Sequence, residues 1–343
     1  MARIRWGIIG CGDVTEIKSG PGFQKASGSE LVAVMRRTPD LARDYATRHK
    51  VAKWYSNTND LISDPDVDAV YIATPPGSHN EIAQAVALAN KPCYVEKPMA
   101  RNVSECEAMI KAFDTAKQKL WVAYYRRAMP RFLKVKELID THAIGKIVAI
   151  DFKFSSPTPV NADASKHAWR VSAQHSGGGL LLDVGSHVLD ILDFYFGALK
   201  DVQGDAYRQN KHSQVEDYVE MTFLTAGNIP GETCWNFFSN IKEDKLSLKG
   251  TQGEIYFNFS SDDPIYVSTA KGTNPIAIPN PSHVAQPLIQ LITNELLGLG
   301  SAPSTGISAL RTQRVIDKVL TSFYGSRENA FWENPSVWPG LVG

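Results

Sequence analysis

Two short stretches of the 343-residue chain carry side chains able to do acid–base chemistry on a bound molecule. In "GGGLLLDVGSHVLDILDFYFG", Asp183, His187 and Asp190 are spaced i, i+4 and i+7, on one face of a helix. Leu181, Leu182, Val184, Val188, Leu189 and Ile191 cover much of the remainder, which predicts a buried helix. Its polar stripe must then find partners or line a cleft. Taken alone, the stripe fits a core histidine satisfied by Asp183 as well as it fits an active site. Gly185 would permit close approach of another backbone, and the glycines 177–179 would give the helix a flexible lead-in without side chains. In "YVEKPMA", Lys97 stands just past a strand-like run, and Pro98 ends the strand and would aim it. An imidazole with an unperturbed pKa of about 6.5 can accept a hydroxyl proton at neutral pH. An ammonium can stabilise an oxygen on which negative charge develops. A plain surface Glu96–Lys97 pair is the competing reading of that stretch.

The elements that must position these groups begin with "RIRWGIIGCGDVTEIKSG", an apolar run ending in Gly10-Cys11-Gly12. This is nearly the fingerprint G-x-G-x-x-G/A, with Thr15 in place of the third small residue. Gly10 would make the tight turn, and Gly12 would let a pyrophosphate approach the backbone where Asp13 and Val14 open a helix. Thr15 is expected to loosen helix–strand packing and to leave the phosphate site intact. "ELVAVM", "DAVYIATPP", the helix-like "HNEIAQAVALANK" and "PCYVEKP" follow in alternation, which predicts βαβ units and a doubly wound parallel sheet. At the end of the second strand, where an acid would bond the ribose hydroxyls of NAD, the chain has Arg36 and Arg37. Two guanidiniums there favour the 2′-phosphate of NADP, with NAD still possible. From residue 147 onward, "KIVAIDFKFSS", "VEDYVEMTFLTAG", "GETCWNFFSN", "KLSLKGTQGEIYFN" and "PIYVSTAKG" are strand-like and separated by turn residues. Without βαβ helices among them, antiparallel pairing is expected.

The bulk properties narrow the partners. Formal net charge is +0 with no Lys/Arg block, which argues against nucleic acid or an anionic membrane. No apolar run approaches the ~18 residues of a membrane span. With strand-like sequence from Ile4, no signal peptide is expected. The four cysteines, Cys11, Cys93, Cys106 and Cys234, show no C-x-x-C spacing. Reduced thiols and a cytoplasmic location are therefore expected. At about 150 residues per domain, the length predicts two domains.

The chain resembles the glucose–fructose oxidoreductase, inositol dehydrogenase and rhizopine-catabolism family, Gfo/Idh/MocA. The resemblance is carried in order by "GIIGCGDV", "DAVYIATPPGSH", Glu96-Lys97-Pro98, "YYRRAMPRF", Trp169-Arg170, "GGGLLLDVGSHVLD" and "SALRTQRVIDKVL". It implies a Rossmann domain over residues 1–125 with a helix near 306–324 packing back on it. It also implies an α+β substrate domain over 126–305, whose large open sheet serves as a homo-oligomer interface. It assigns Lys97, Asp183 and His187 to the active site, Glu96 to the nicotinamide, and Thr74, Pro75 and His79 to the cofactor's surroundings. Arg126 or Arg127, Trp169 and Arg170 become nicotinamide or substrate contacts. The implied activity is NAD(P)-dependent hydride transfer on a sugar, polyol or cyclitol. Three other readings stay open: an NAD-dependent glycosidase with a transient redox step, an NADP-sensing regulator, and a metalloenzyme built on Asp183, His187 and His167 or His175. No metal is expected.

Overall fold

The computed structural model describes residues 3–156 and 168–342. Two compact units emerge, neither continuous in sequence. The first comprises residues 1–100, 104–129 and 281–310, and the second residues 101–103, 130–280 and 311–343.

The first unit is built on six parallel strands: β1 (Ile4–Ile9), β2 (Ser29–Met35), β3 (Lys53–Tyr55), β4 (Ala69–Ile72), β5 (Cys93–Val95) and β6 (Leu120–Val122). Their order is β3-β2-β1-β4-β5-β6, the doubly wound arrangement expected from the alternating pattern. β4 is buried at all four positions and β5 at all three, as strands covered on both faces must be. The order reverses between β1 and β4, and ligands bind beyond the carboxyl ends of strands at such a switch point. Arg5 ties the opposite end of β1 to Asp68 and Asp66 at 2.8 Å each. Trp6, Phe23, Tyr71 and Tyr94 form an aromatic core with neighbouring centroids about 5 Å apart. Leu288, Ile289 and Ile292 of the helix Gln286–Leu296 complete that core. The segment that returns to this unit is thus 281–310, and the long helix Gly306–Tyr324 counts with the second unit from Arg311 onward.

The second unit is built on eight strands: β7 (Ile147–Ser155), β8 (Lys200–Tyr207), β9 (Tyr218–Leu224), β10 (Pro230–Asn236), β11 (Glu243–Gly250), β12 (Gly253–Phe257), β13 (Ile265–Thr269) and β14 (Gly272–Ile276). The order is β14-β13-β12-β11-β7-β10-β9-β8. All pairs are antiparallel except one: β7 and β10 run parallel, from Gly231 opposite Ile150 to Asn236 opposite Ser155. The mainly antiparallel sheet expected from the turn-separated strands is thus found, with this one parallel pair inside it. More than seventy residues separate these two strands in the chain, enough for the crossover that a parallel pair requires. The sheet is two-faced. Ile150, Phe152, Val219, Met221, Phe223, Trp235, Leu246 and Leu248 point into the core, while Lys153, Glu220, Thr222 and Glu232 alternate onto the outer face.

Candidate active site

In the first unit, β1 ends at the glycine turn, and the N–H groups of Gly10 and Cys11 both donate to the Met35 carbonyl at the end of β2 (2.9 and 3.1 Å). Gly10 sits at φ +92°, and a Cβ there would lie 2.7 Å from the Thr74 side chain, so only glycine fits. Gly12 differs in kind. Its backbone is extended, and a Cβ would come no closer to the protein than 3.9 Å, to the Gly10 carbonyl. The space beside it is kept open. The helix Asp13–Ile17 starts here, and its first N–H groups, those of Asp13 and Val14, have no carbonyl a turn earlier to bond.

Thr15 does not loosen the fit as the motif suggested. Fully buried, its hydroxyl donates to the Gly12 carbonyl (2.8 Å) and accepts from the Gly12 N–H (3.0 Å). It is a reciprocal cap that rigidifies the turn. Tyr45 Oη donates to the Thr15 carbonyl at 2.8 Å, and Gly20 leaves room for that contact. Behind the turn, Glu16 bonds Arg48 and His49, and chiefly the Arg48 bonds hold its carboxyl down at about 2 against burial.

Arg36 continues β2, its N–H bonded to the Tyr55 carbonyl. It is half-buried, and its positive charge reaches Cys11 in the turn, partly offsetting the burial that pushes the Cys11 thiol up to about 11. That thiol is protonated and unreactive at neutral pH. Arg37 is exposed. Neither arginine forms an ion pair among the described residues.

The ends of β4 and β5 are locked together by His79. Its Nε2 lies 2.7 Å from the Thr74 carbonyl, and its Nδ1 lies 3.2 Å from each of the Pro98 and Met99 carbonyls. The ring is completely enclosed, and burial lowers its pKa despite those carbonyls. His79 therefore shapes the site through the backbone it holds. Ser78 donates to the Thr74 hydroxyl (2.8 Å) and to the Pro75 carbonyl (3.0 Å). Glu96 accepts from Tyr71 Oη and from the Lys97 N–H (3.1 Å), and burial raises its pKa. Lys97, half-buried, precedes a cis peptide to Pro98. Of the two candidate arginines, Arg127 is buried and donates to the Pro303 carbonyl, whereas Arg126 lies half-buried over the Tyr125 ring. Tyr71, a partner of Glu96, gave no signal in the sequence beyond its place in an apolar strand.

In the second unit, Asp183 lies in a five-residue π turn, Leu181–Gly185, which runs directly into the helix Ser186–Phe196. Such wider turns recur at functional sites. Asp183 pairs with Arg170 at 3.6 Å, and Arg170 in turn lies beside the Trp169 ring. His187 and Asp190 are buried on the helix. Two expectations about the glycines are corrected. A Cβ on Gly185 would meet the Leu181 and Trp235 side chains, not another backbone. The glycines 177–179 are tightly packed, not flexible: a Cβ on Gly177 would lie 2.5 Å from the Arg101 carbonyl, and one on Gly179 would lie 2.3 Å from the Glu216 carbonyl. His175 is exposed and bonded to Ser172, and His167 lies outside the described residues. No group of three or more metal-ligating side chains is assembled among the described residues.

Comparison with known proteins follows this two-part layout. Residues 4–124 match the family model of an oxidoreductase family with an NAD-binding Rossmann fold, and residues 132–256 match the GFO/IDH/MocA C-terminal domain. The chain belongs to the Gfo/Idh/MocA oxidoreductase family. This member is 36% identical over 317 residues to oxidoreductase P35 of Formosa agariphila, covering 92% of the chain and 98% of that protein. It is 25% identical to 1,5-anhydro-D-fructose reductase of Ensifer adhaerens, over 88% and 91% of the two chains. In fold it resembles a levoglucosan dehydrogenase solved with NADH, with a TM-score of 0.83, 23% identity, and coverage of 93% and 96%. No helix among the described residues is long and apolar enough to cross a membrane.

Proposed function

We propose that this Gfo/Idh/MocA protein catalyses reversible hydride transfer between a nicotinamide dinucleotide and a secondary alcohol carbon of a sugar, polyol or cyclitol. One observation carries the reading: the open cradle at Gly12 and the Lys97 segment are both built at the switch-point end of a β3-β2-β1-β4-β5-β6 sheet. Family membership and the sugar-acting names among its relatives support the substrate class.

The cradle fits a dinucleotide. The N–H groups of Asp13 and Val14 and the open side of Gly12 would take the pyrophosphate, and Arg36 and Arg37 a 2′-phosphate, which makes NADP the preferred form. Glu96, Thr74, Pro75 and Arg126 would border the nicotinamide half. When bound, the nicotinamide supplies the hydride acceptor or donor. The rest falls to side chains. His187 takes the hydroxyl proton in oxidation and returns it in reduction, Lys97 bonds the reacting oxygen, and Asp183, steadied by Arg170, orients a neighbouring hydroxyl. Trp169 would contact substrate. The outer face of the eight-stranded sheet is assigned as a homo-oligomer interface, and light scattering that returned a monomer mass would remove that assignment.

The decisive test screens sugars and polyols with both cofactors at the nicotinamide absorbance, then compares Lys97→Ala and His187→Ala on the best substrate. Turnover should fall at least 100-fold in each while dinucleotide affinity stays within about twofold, since both groups act on the reacting oxygen. Near-wild-type turnover in either variant would overturn the mechanism. Hydrolysis without net reduced cofactor would replace it with the glycosidase route.

A further inference from the structure

A carboxylate outside the assigned site is built into the lead-in of the Asp183 turn. Glu216 is 1% exposed, and both its oxygens lie 3.0 Å from the Gly179 N–H. Tyr324, at the end of the helix Gly306–Tyr324, donates its hydroxyl to Glu216 Oε2. The Gly179 carbonyl in turn accepts from the Leu182 N–H (3.3 Å), immediately before Asp183. The flanking glycine is held too, with Ser176 Oγ donating to the Gly178 carbonyl at 2.6 Å. Arg327 lies over the Tyr324 ring, pairs with Asp317 at 2.9 Å, and projects its charge toward Glu216. A chain of contacts thus runs from the last helix through Tyr324, Glu216 and Gly179 to the turn that presents Asp183.

A buried carboxylate is a poor way to gain stability, because desolvation of the charge offsets most of what its bonds return. Here burial drives the carboxyl up to about 7 against the donors around it. An apolar side chain would fill the space at lower cost, yet could not hold the Gly179 N–H. What the carboxylate adds is geometry. We propose that Glu216 is a positioning residue for the reaction, fixing the Gly177–Gly179 lead-in and thereby the placement of Asp183 and His187. The proposal rests on the assignment of those two residues to the active site.

Glu216→Ala, Glu216→Gln and Tyr324→Phe test it, with Asp183→Ala as reference. The assay is the best wild-type substrate from D-glucose, D-xylose, myo-inositol and levoglucosan with NADP, well below the melting temperature. A displacement of about 1 Å can cost 100-fold in rate, so Glu216→Ala should lose 10- to 100-fold in kcat with dinucleotide Kd within twofold. Glu216→Gln should stay within about threefold of wild type. Its amide can accept from the Gly179 N–H and donate to Tyr324 Oη. Amide hydrogen exchange in the peptide 177–185 should quicken at least tenfold in Glu216→Ala and stay near wild type in Glu216→Gln. A folded Glu216→Ala with wild-type kcat, or a Gln variant as impaired as Ala, would overturn the proposal. Should Glu216→Ala not fold, Tyr324→Phe decides, with faster exchange in 177–185 and a severalfold lower kcat expected, and no change in either overturning it. If Asp183→Ala retains turnover, the site assignment itself fails. If Asp183→Ala is inactive while Glu216→Ala is fully active, only the positioning role fails.

Discussion

Gly12→Ala and Thr15→Ala should separate binding from stability within one turn. At Gly12 the backbone is extended and an added methyl finds no protein atom nearer than 3.9 Å. The folded apoprotein should therefore accept alanine, gaining about 0.4–1 kcal/mol by restricting the unfolded chain. The same methyl stands where a pyrophosphate must approach, and losing a hydrogen bond to a charged group there costs about 1.5–3 kcal/mol. That is about 10- to 100-fold in dinucleotide affinity. Thr15→Ala reverses the pattern. It deletes the bonds of 2.8 and 3.0 Å to Gly12 and leaves a cavity at a fully buried site, at a cost of about 1–2 kcal/mol. For a unit of this size the melting temperature should fall by about 2–8 °C. Dinucleotide affinity should change less than threefold, since the phosphate-facing N–H groups of Asp13 and Val14 remain. Calorimetric titration with NADP and NAD, paired with thermal melts of the apoproteins, reads both quantities. Unchanged affinity in Gly12→Ala, or wild-type melting in Thr15→Ala, would refute this account of the turn.

The arginines should divide unequally: Arg36→Ala should weaken NADP binding about tenfold or more with little effect on NAD, while exposed Arg37→Ala should change it less. Arg36→Asp should reverse the preference, and equal calorimetric affinities of the wild type for both cofactors would return both residues to a solvated turn. Glu16 gives a pH signature. Its folded pKa of about 2 lies below its ordinary value, so its contribution is present above about pH 4.5 and is lost as pH falls toward 2. After screening, the wild-type advantage over Glu16→Gln should be about 1–2 kcal/mol at pH 7 and should fall to about a quarter of that by about pH 2.5. A difference that stays constant over that range in urea titrations would contradict the pairing with Arg48.

What could be seen in the sequence was whatever local pattern encodes. The parallel sheet followed from apolar runs alternating with helical ones, and the glycine turn from its spacing. β3, with its three residues, and β14, with its outward polar side chains, have no such pattern. The hairpin of β11 and β12 read as one strand-like stretch broken only by Gly250–Gly253. The site was legible where its residues are neighbours in the chain, as Glu96 and Lys97 are, and hidden where partners come from afar. Tyr71 and Glu96 are 25 residues apart, Glu216 and Tyr324 are 108 apart, and nothing near either carboxylate announces its hydroxyl. The glycines 177–179 showed a second limit. Composition suggested looseness, but the reason for glycine is crowding by Arg101 and Glu216, which only the folded chain reveals.

The core of the nucleotide-binding unit closes with residues that lie much later in the chain. Leu288, Ile289, Ile292 and Ala302 pack with Trp6 and Phe23, and a Cβ on Gly22 would already touch Ile289. During synthesis, then, the six-stranded sheet is complete by Val122 but its apolar side stays only partly covered, by the helix of Phe23, until some 170 further residues have left the ribosome. At about 5–20 residues per second, that is a delay of roughly ten to thirty seconds with Trp6 and Phe23 incompletely sheltered. A fragment ending after Met129 should inherit that exposure permanently and aggregate, however self-contained its strand order looks. The unit whose sheet is complete by Val122 is thus closed only by residues far later in the chain.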